Sequence, residues 1–186
     1  MNQRNVIIVT DGDELARHAV EIGAKNIGGR CISVSAGNPT TLSGSEIAEQ
    51  VMKAAYDPVV VMFDDNGNFN RGSGEKAISS LSTFPQIKIL GAVAVASGAN
   101  PDHGVKVTFS IDKHGNKIYS GVDKNGNAIQ DDKVFGDTIQ VLEELNLPVV
   151  VGLGDPGKMD ELDSPQKGSP ITTQALKSIL ENPCEH

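Results

Sequence analysis

Two aliphatic runs, each ending in acids, constrain this chain more than anything else in it. Val6-Ile7-Ile8-Val9 leads into Thr10-Asp11-Gly12-Asp13, and Val59-Val60-Val61-Met62-Phe63 leads into Asp64-Asp65-Asn66-Gly67. A continuous apolar run of this length, stopped by acids and glycine, fits a strand buried on both faces of a parallel sheet. Open α/β sheets place their ligands at the carboxyl edge of such strands. If the two strands are neighbours, their carboxylates converge on one crevice.

The order of the remaining segments supports the same architecture. An amphipathic stretch from Glu14 to Lys25, stopped by Gly28-Gly29, predicts a helix. Cys31-Ile32-Ser33-Val34-Ser35 predicts a short strand. Ser43-Gly44-Ser45 opens a helix with Ile47, Ala48, Val51 and Met52 on one face, and Gly74 to Leu81 predicts another. Ile87 to Val95 is a strand with Gly91 inside it. Asp137 to Leu145 predicts a helix, Pro148 to Val151 a strand and Thr172 to Leu180 the last helix. This alternation implies right-handed βαβ units, a mainly parallel sheet and a three-layer α/β fold, Rossmann-like or Toprim-like. Between residues 105 and 130 the pattern changes. Val105 to Ile111 alternates at period two, as a half-solvated antiparallel strand does. A small repeat follows, Ile111-Asp112-Lys113-His114-Gly115-Asn116 and Val122-Asp123-Lys124-Asn125-Gly126-Asn127, with a tight-turn signal in each copy. The expectation is an inserted antiparallel meander within one domain spanning 1–186.

Composition narrows the function classes. The 186 residues are 38% hydrophobic and 4% aromatic with no Trp, so the core must be aliphatic. A formal net charge of −8 with no basic stripe argues against nucleic acid, whose phosphates need clustered Lys and Arg. Cys31 and Cys184 are too few for a disulfide framework and are expected as free thiols. No signal peptide or membrane span is expected, because no apolar run approaches the roughly 20 residues a membrane helix needs.

The acids offer two chemistries. Asp11, Asp13, Asp64, Asp65 and, after a later strand, Asp155 are hard oxygen ligands suited to Mg²⁺ or Ca²⁺. The same Asp residues also suit helix caps and turns, and both readings stand at this level. The Asp123 loop fails as an EF-hand, because Ala128 occupies the required glycine position and Val134 that of the bidentate glutamate. Two loops carry small residues at a helix start that would favour an anion: one with Ser35, Gly37 and Asn38, the other with Lys167 and Ser169. Walker, dinucleotide and Gly-x-Ser-x-Gly motifs are absent, and His18, His103, His114 and His186 are scattered. No complete catalytic set can be assembled.

These segments, taken together, resemble the stage V sporulation protein AE family of endospore-forming bacteria. The resemblance rests on Val9 to Asp13, Gly28 to Ser33, Ser35 to Pro39, Val61 to Asp65, Ala94 to Ser97, Gly121 to Lys124, Val151 to Asp155 and Lys167 to Thr172. It implies an accessory protein of the apparatus that moves Ca²⁺-dipicolinate into the forming spore and out at germination. The partners would be other proteins of that apparatus, contacted peripherally at the spore inner membrane, and a homodimer is compatible with it. The family brings no catalytic residues. A weaker resemblance, of scaffold alone, is to Toprim domains, which hold Mg²⁺ for phosphoryl chemistry between acids at two strand ends. Here Asp11 and Asp13 stand where that pattern has Glu, and adjacent Asp64 and Asp65 would point to opposite faces of an extended strand.

Overall fold

A computed structural model describes residues 3–68, 71–97 and 102–182. Cys184 and His186 lie outside the described residues. The strands are β1 (Arg4–Val9), β2 (Arg30–Cys31), β3 (Val59–Met62), β4 (Ile87–Val95), β5 (Gly104–Lys106), β6 (Phe109–Ile111), β7 (Lys117–Ile118), β8 (Lys133–Phe135) and β9 (Val150–Leu153). The helices are α1 (Glu14–Asn26), α2 (Gly44–Lys53), α3 (Ser73–Ser82), α4 (Gln140–Glu144) and α5 (Pro170–Leu180). Seven strands form one sheet in the order β2-β3-β1-β4-β9-β6-β7, parallel except for β7. β5 and β8 form a separate antiparallel pair.

The sheet separates two aliphatic cores, and side-chain alternation along each strand decides which residue enters which. Val6, Ile8, Val59, Val61, Ala92 and Ala94 face α2, α3 and α4. Ile7, Val9, Val60, Met62, Val93 and Val95 face α1 and α5. Strands buried on both faces need unbroken apolar sequence, which is why β1 and β3 could be read without periodicity. The three-layer α/β class expected from sequence is the one found.

Four segments depart from expectation. Only Arg30–Cys31 of the Cys31–Ser35 segment is strand. Ser33–Ser35 is a 3₁₀ turn, because the Ser35 hydroxyl donates to the Ile32 carbonyl at 2.6 Å and accepts the Met62 amide. The helix expected from Asp137 begins at Gln140, because Asp137 and Thr138 are engaged by the loop after β3. Val105–Ile111 is not one half-solvated antiparallel strand. It breaks at Val107-Thr108, β5 leaves for its own pair, and β6 joins the main sheet parallel to β9. The alternation misled because both faces of β6 are covered: Phe109 and Ile111 enter one core, and Ser110 is fully buried on the other side. Met52, placed on the apolar face of α2, is exposed. The repeat behaves as expected. Asp112 accepts the amides of His114 and Asn116, Asp123 accepts those of Asn125 and Asn127, and each loop turns at a left-handed glycine, Gly115 or Gly126.

Ile8→Ala, at a fully buried position of the central strand, is expected to cost about 2–5 kcal/mol in urea unfolding. Met52→Ala should stay within about 0.5 kcal/mol. A large loss at Met52 would mean that the exposed face of α2 is covered in solution.

Candidate functional site

The carboxyl ends of β1, β3, β4 and β9 enclose a crevice of about 160 Å³. Thr10, Asp11 and Asp13 line it after β1, Asp64, Asn66 and Gly67 after β3, Val95 and Ser97 at β4, and Asp155 after β9. Asn38 closes one side and Asp137 another. Its described lining carries five carboxylates and no Lys, Arg, His or Cys.

Each carboxylate has a local reason for its position. Asp13 is the N-cap of α1 and takes the Ala16 amide at 2.8 Å. Asp11 takes the Asp13 amide at 3.2 Å. Asp64 uses both oxygens, one for the Gly12 amide at 3.1 Å and one for the Asn66 amide at 2.7 Å. Gly12 makes that approach possible, since a Cβ there would lie 2.9 Å from the Asp64 Cβ, and 2.3 Å from the Gly37 carbonyl oxygen on its other side. Asp137 reaches across to the Gly67 amide. Asp155 lies beside Lys158, whose Nζ sits 3.4 Å from Asp155 and 3.5 Å from Asp13.

Of the five acids expected to share a site, Asp11, Asp13, Asp64 and Asp155 do so and Asp65 does not. Asp65 points to the opposite face, as adjacent residues of an extended strand must. It caps α3 by accepting the Gly74 and Glu75 amides at 2.6 and 3.2 Å. Gly72 has to be glycine for this, because a Cβ would fall 2.2 Å from an Asp65 oxygen. The Gly72-Ser73-Gly74 segment is thus the cradle of an internal cap. Buried Glu75 repeats the device one element on, accepting the Val141 amide at the start of α4.

The expected anion loops also serve the fold. Ser35 is buried and bonded on both sides, Gly37 backs onto Gly12, and Asn38 alone of that loop lines the crevice. Lys167 donates to the Glu161 carbonyl at 2.8 Å, and Ser169 is fully buried in a left-handed conformation before α5. The amides an external anion would use there are already taken by Asp163. This fully buried residue accepts the Gly157, Ile171 and Thr172 amides and the Thr172 hydroxyl. Asp163 holds a turn in which Met159, Asp160 and Glu161 are all left-handed, a conformation costing roughly 1–2 kcal/mol per residue. That turn carries Lys158 to the crevice rim.

Sequence reasoning missed Asp137, Lys158 and Asp163. Asp137 falls at the first position of the helix expected over Asp137 to Leu145. Asp163 serves amides eight and nine residues later, beyond any local capping signature.

Mg²⁺ and Ca²⁺ want several free carboxylate oxygens converging at one point, and much of this set is otherwise engaged. Asp64 has both oxygens committed to amides, Asp13 is divided between a cap and Lys158, and Asp155 lies against the same lysine. Among the described residues no group of three or more His, Cys, Asp and Glu is arranged to hold a metal ion. The crevice is instead crowded with negative charge. Burial, and then the Asp13 carboxylate, pushes Asp11 up to about 7. Burial likewise pushes Asp64 up to about 6, with Asp137 adding to the effect.

These features define a three-layer α/β protein with an acidic crevice at the carboxyl edge of its sheet. The chain belongs to the stage V sporulation protein AE1 family (SpoVAE), whose family model matches residues 5–183. That membership gives it a sporulation-related role. No curated protein and no solved structure matches it. Among the described residues no helix is long and apolar enough to cross a membrane.

Asp11 and Asp64 titrate higher in the folded protein than in the unfolded chain, where both sit near 3.8. The folded state therefore binds more protons between those values, and stability falls as pH rises from about 4 to 7. A loss of up to about 4 kcal/mol is expected between urea unfolding at pH 5 and at pH 8, and Asp11→Asn should remove more than half of it. Asp163→Ala, which orphans four buried donors, is expected to cost about 3–5 kcal/mol by the same assay. Near-wild-type stability in that variant would contradict the role given to Asp163.

Proposed function

We propose that this protein acts in sporulation as a non-enzymatic partner of the membrane apparatus that transports Ca²⁺-dipicolinate, with the acidic crevice as its docking face. The observation carrying this reading is the lining itself: five carboxylates with no basic side chain among the described lining residues. The family membership supplies the sporulation context.

The physical case is one of charge. A chain of net charge −8 is repelled by anionic lipid headgroups, so contact with a membrane is better made through a protein. The cytoplasmic loops of membrane proteins carry an excess of Lys and Arg. Burial, with like-charge repulsion added to it, holds Asp11 and Asp64 above their ordinary range, and a Lys or Arg from such a loop entering the crevice would offset the repulsion. Lys158, at the rim between Asp13 and Asp155, already makes the kind of contact a partner's cation would make.

Immobilised protein, exposed to detergent-solubilised membranes of sporulating cells, is expected to retain a membrane protein of that apparatus at low salt and release it at high salt. An Asp11→Asn/Asp64→Asn/Asp155→Asn variant, folded by circular dichroism, should retain much less. Equal retention by the variant, or no retention of any such protein, would overturn the proposal.

A further inference from the structure

A second cavity, about 530 Å³, lies beside the edge strand β2 and shares no lining residue with the acidic crevice. Glu21 and Lys25 on α1 form one wall. Arg30 and Cys31 of β2, reached through Gly28-Gly29, line it as well, with Tyr56 from the segment before β3. The backbone beneath is fixed: the Gly29 amide donates to the Ala24 carbonyl at 2.8 Å and the Arg30 amide to the Pro58 carbonyl at 2.9 Å. Buried Cys31 packs into the core shared with α1 and α5, and its thiol, pushed up to about 12 by burial, brings neither charge nor nucleophile to the cavity.

The charges here are of the opposite sign to those at the crevice. Among the described residues, the ion pairs formed by α1 and β2 join Arg17 to Glu14 and leave Lys25 and Arg30 without a carboxylate at pairing distance. Two cations thus face one cavity against the single carboxylate of Glu21, in a chain of net charge −8. Arg30 offers a planar fork suited to a carboxylate, Lys25 a movable point charge, and exposed Tyr56 a flat apolar ring. The volume falls within the range of cavities that hold small molecules.

We infer that this cavity binds a small carboxylic acid with an apolar body, its carboxylate on Arg30 and Lys25 and its body against Tyr56. Glu21 sets the selectivity by opposing excess negative charge, so its removal strengthens binding.

Benzoate, phthalate and acetate, titrated by calorimetry into the full chain, test this directly. Benzoate and phthalate are expected to bind with Kd on the order of 1 mM at low salt, and acetate about tenfold more weakly for want of a body. Lys25→Gln/Arg30→Gln should weaken benzoate at least about tenfold, and Glu21→Gln should tighten phthalate several-fold. Tyr56→Ser should narrow the preference for benzoate over acetate. Thermal melts of each variant confirm folding, which these exposed or partly exposed positions should preserve. Wild-type affinity in the Lys25→Gln/Arg30→Gln variant, or no saturable binding of benzoate or phthalate up to ~50 mM, would overturn the inference.

Discussion

The two hydrogen bonds accepted by the Asp64 carboxylate set the geometry of the carboxyl edge. Parallel pairing places Val9 beside Met62, so the chain leaves β1 and β3 at the same level. Asp64 then ties both exits together, through Gly12 on one side and Asn66 on the other. Its backbone does the same for the segment after β2, giving its amide to the Thr40 hydroxyl and accepting the Thr40 amide, both at 2.8 Å. Three connections converge on one residue, which is why Asp11, Asn38 and Asn66 face one another across a narrow crevice. Thr10 adds a fourth strand by accepting the Val95 amide at 2.9 Å.

Carboxylates in this protein do two kinds of work. Asp65, Glu75 and Asp163 are buried and satisfy amides at the starts of α3, α4 and α5. A negative charge there complements the helix end and removes donors that would otherwise be orphaned. Asp11, Asp13, Asp64, Asp137 and Asp155 surround shared solvent space, where burial and then neighbouring carboxylates raise the proton affinity of Asp11 and Asp64. The acidity visible in the composition is therefore partly internal scaffolding and partly a concentrated surface field. The cavity beside β2, with Lys25 and Arg30, is the counterpart on a different edge of the same sheet.

The strands and the convergence of their acids were legible because burial on both sheet faces leaves an unbroken aliphatic run that acids abruptly end. The start of α2 was legible for a local reason, since Ser43 and Glu46 form a reciprocal capping box. What could not be read was set by distant partners. Alternation along the strand already set Asp65 on the face opposite Asp64, but not the α3 amides it caps there, nine and ten residues on. Asp137 left its expected helix because Gly67, seventy residues earlier, holds it. β6 looked half-solvated because alternation reports side-chain size and polarity, while coverage by Gly152 and Val134 is a tertiary fact. Asp163 is bound to amides eight residues downstream, and no spacing rule reaches that far.

The central claim is that the crevice fixed by Asp64 is a receptor for a basic segment. It is tested most directly by titrating isotope-labelled protein with a short Lys/Arg-rich peptide and following each backbone amide by NMR. The account predicts saturable, salt-sensitive shifts at Gly12, Asn66 and Gly67, whose amides the crevice carboxylates hold. Shifts confined to other faces, with those three amides unmoved at saturation, would contradict it.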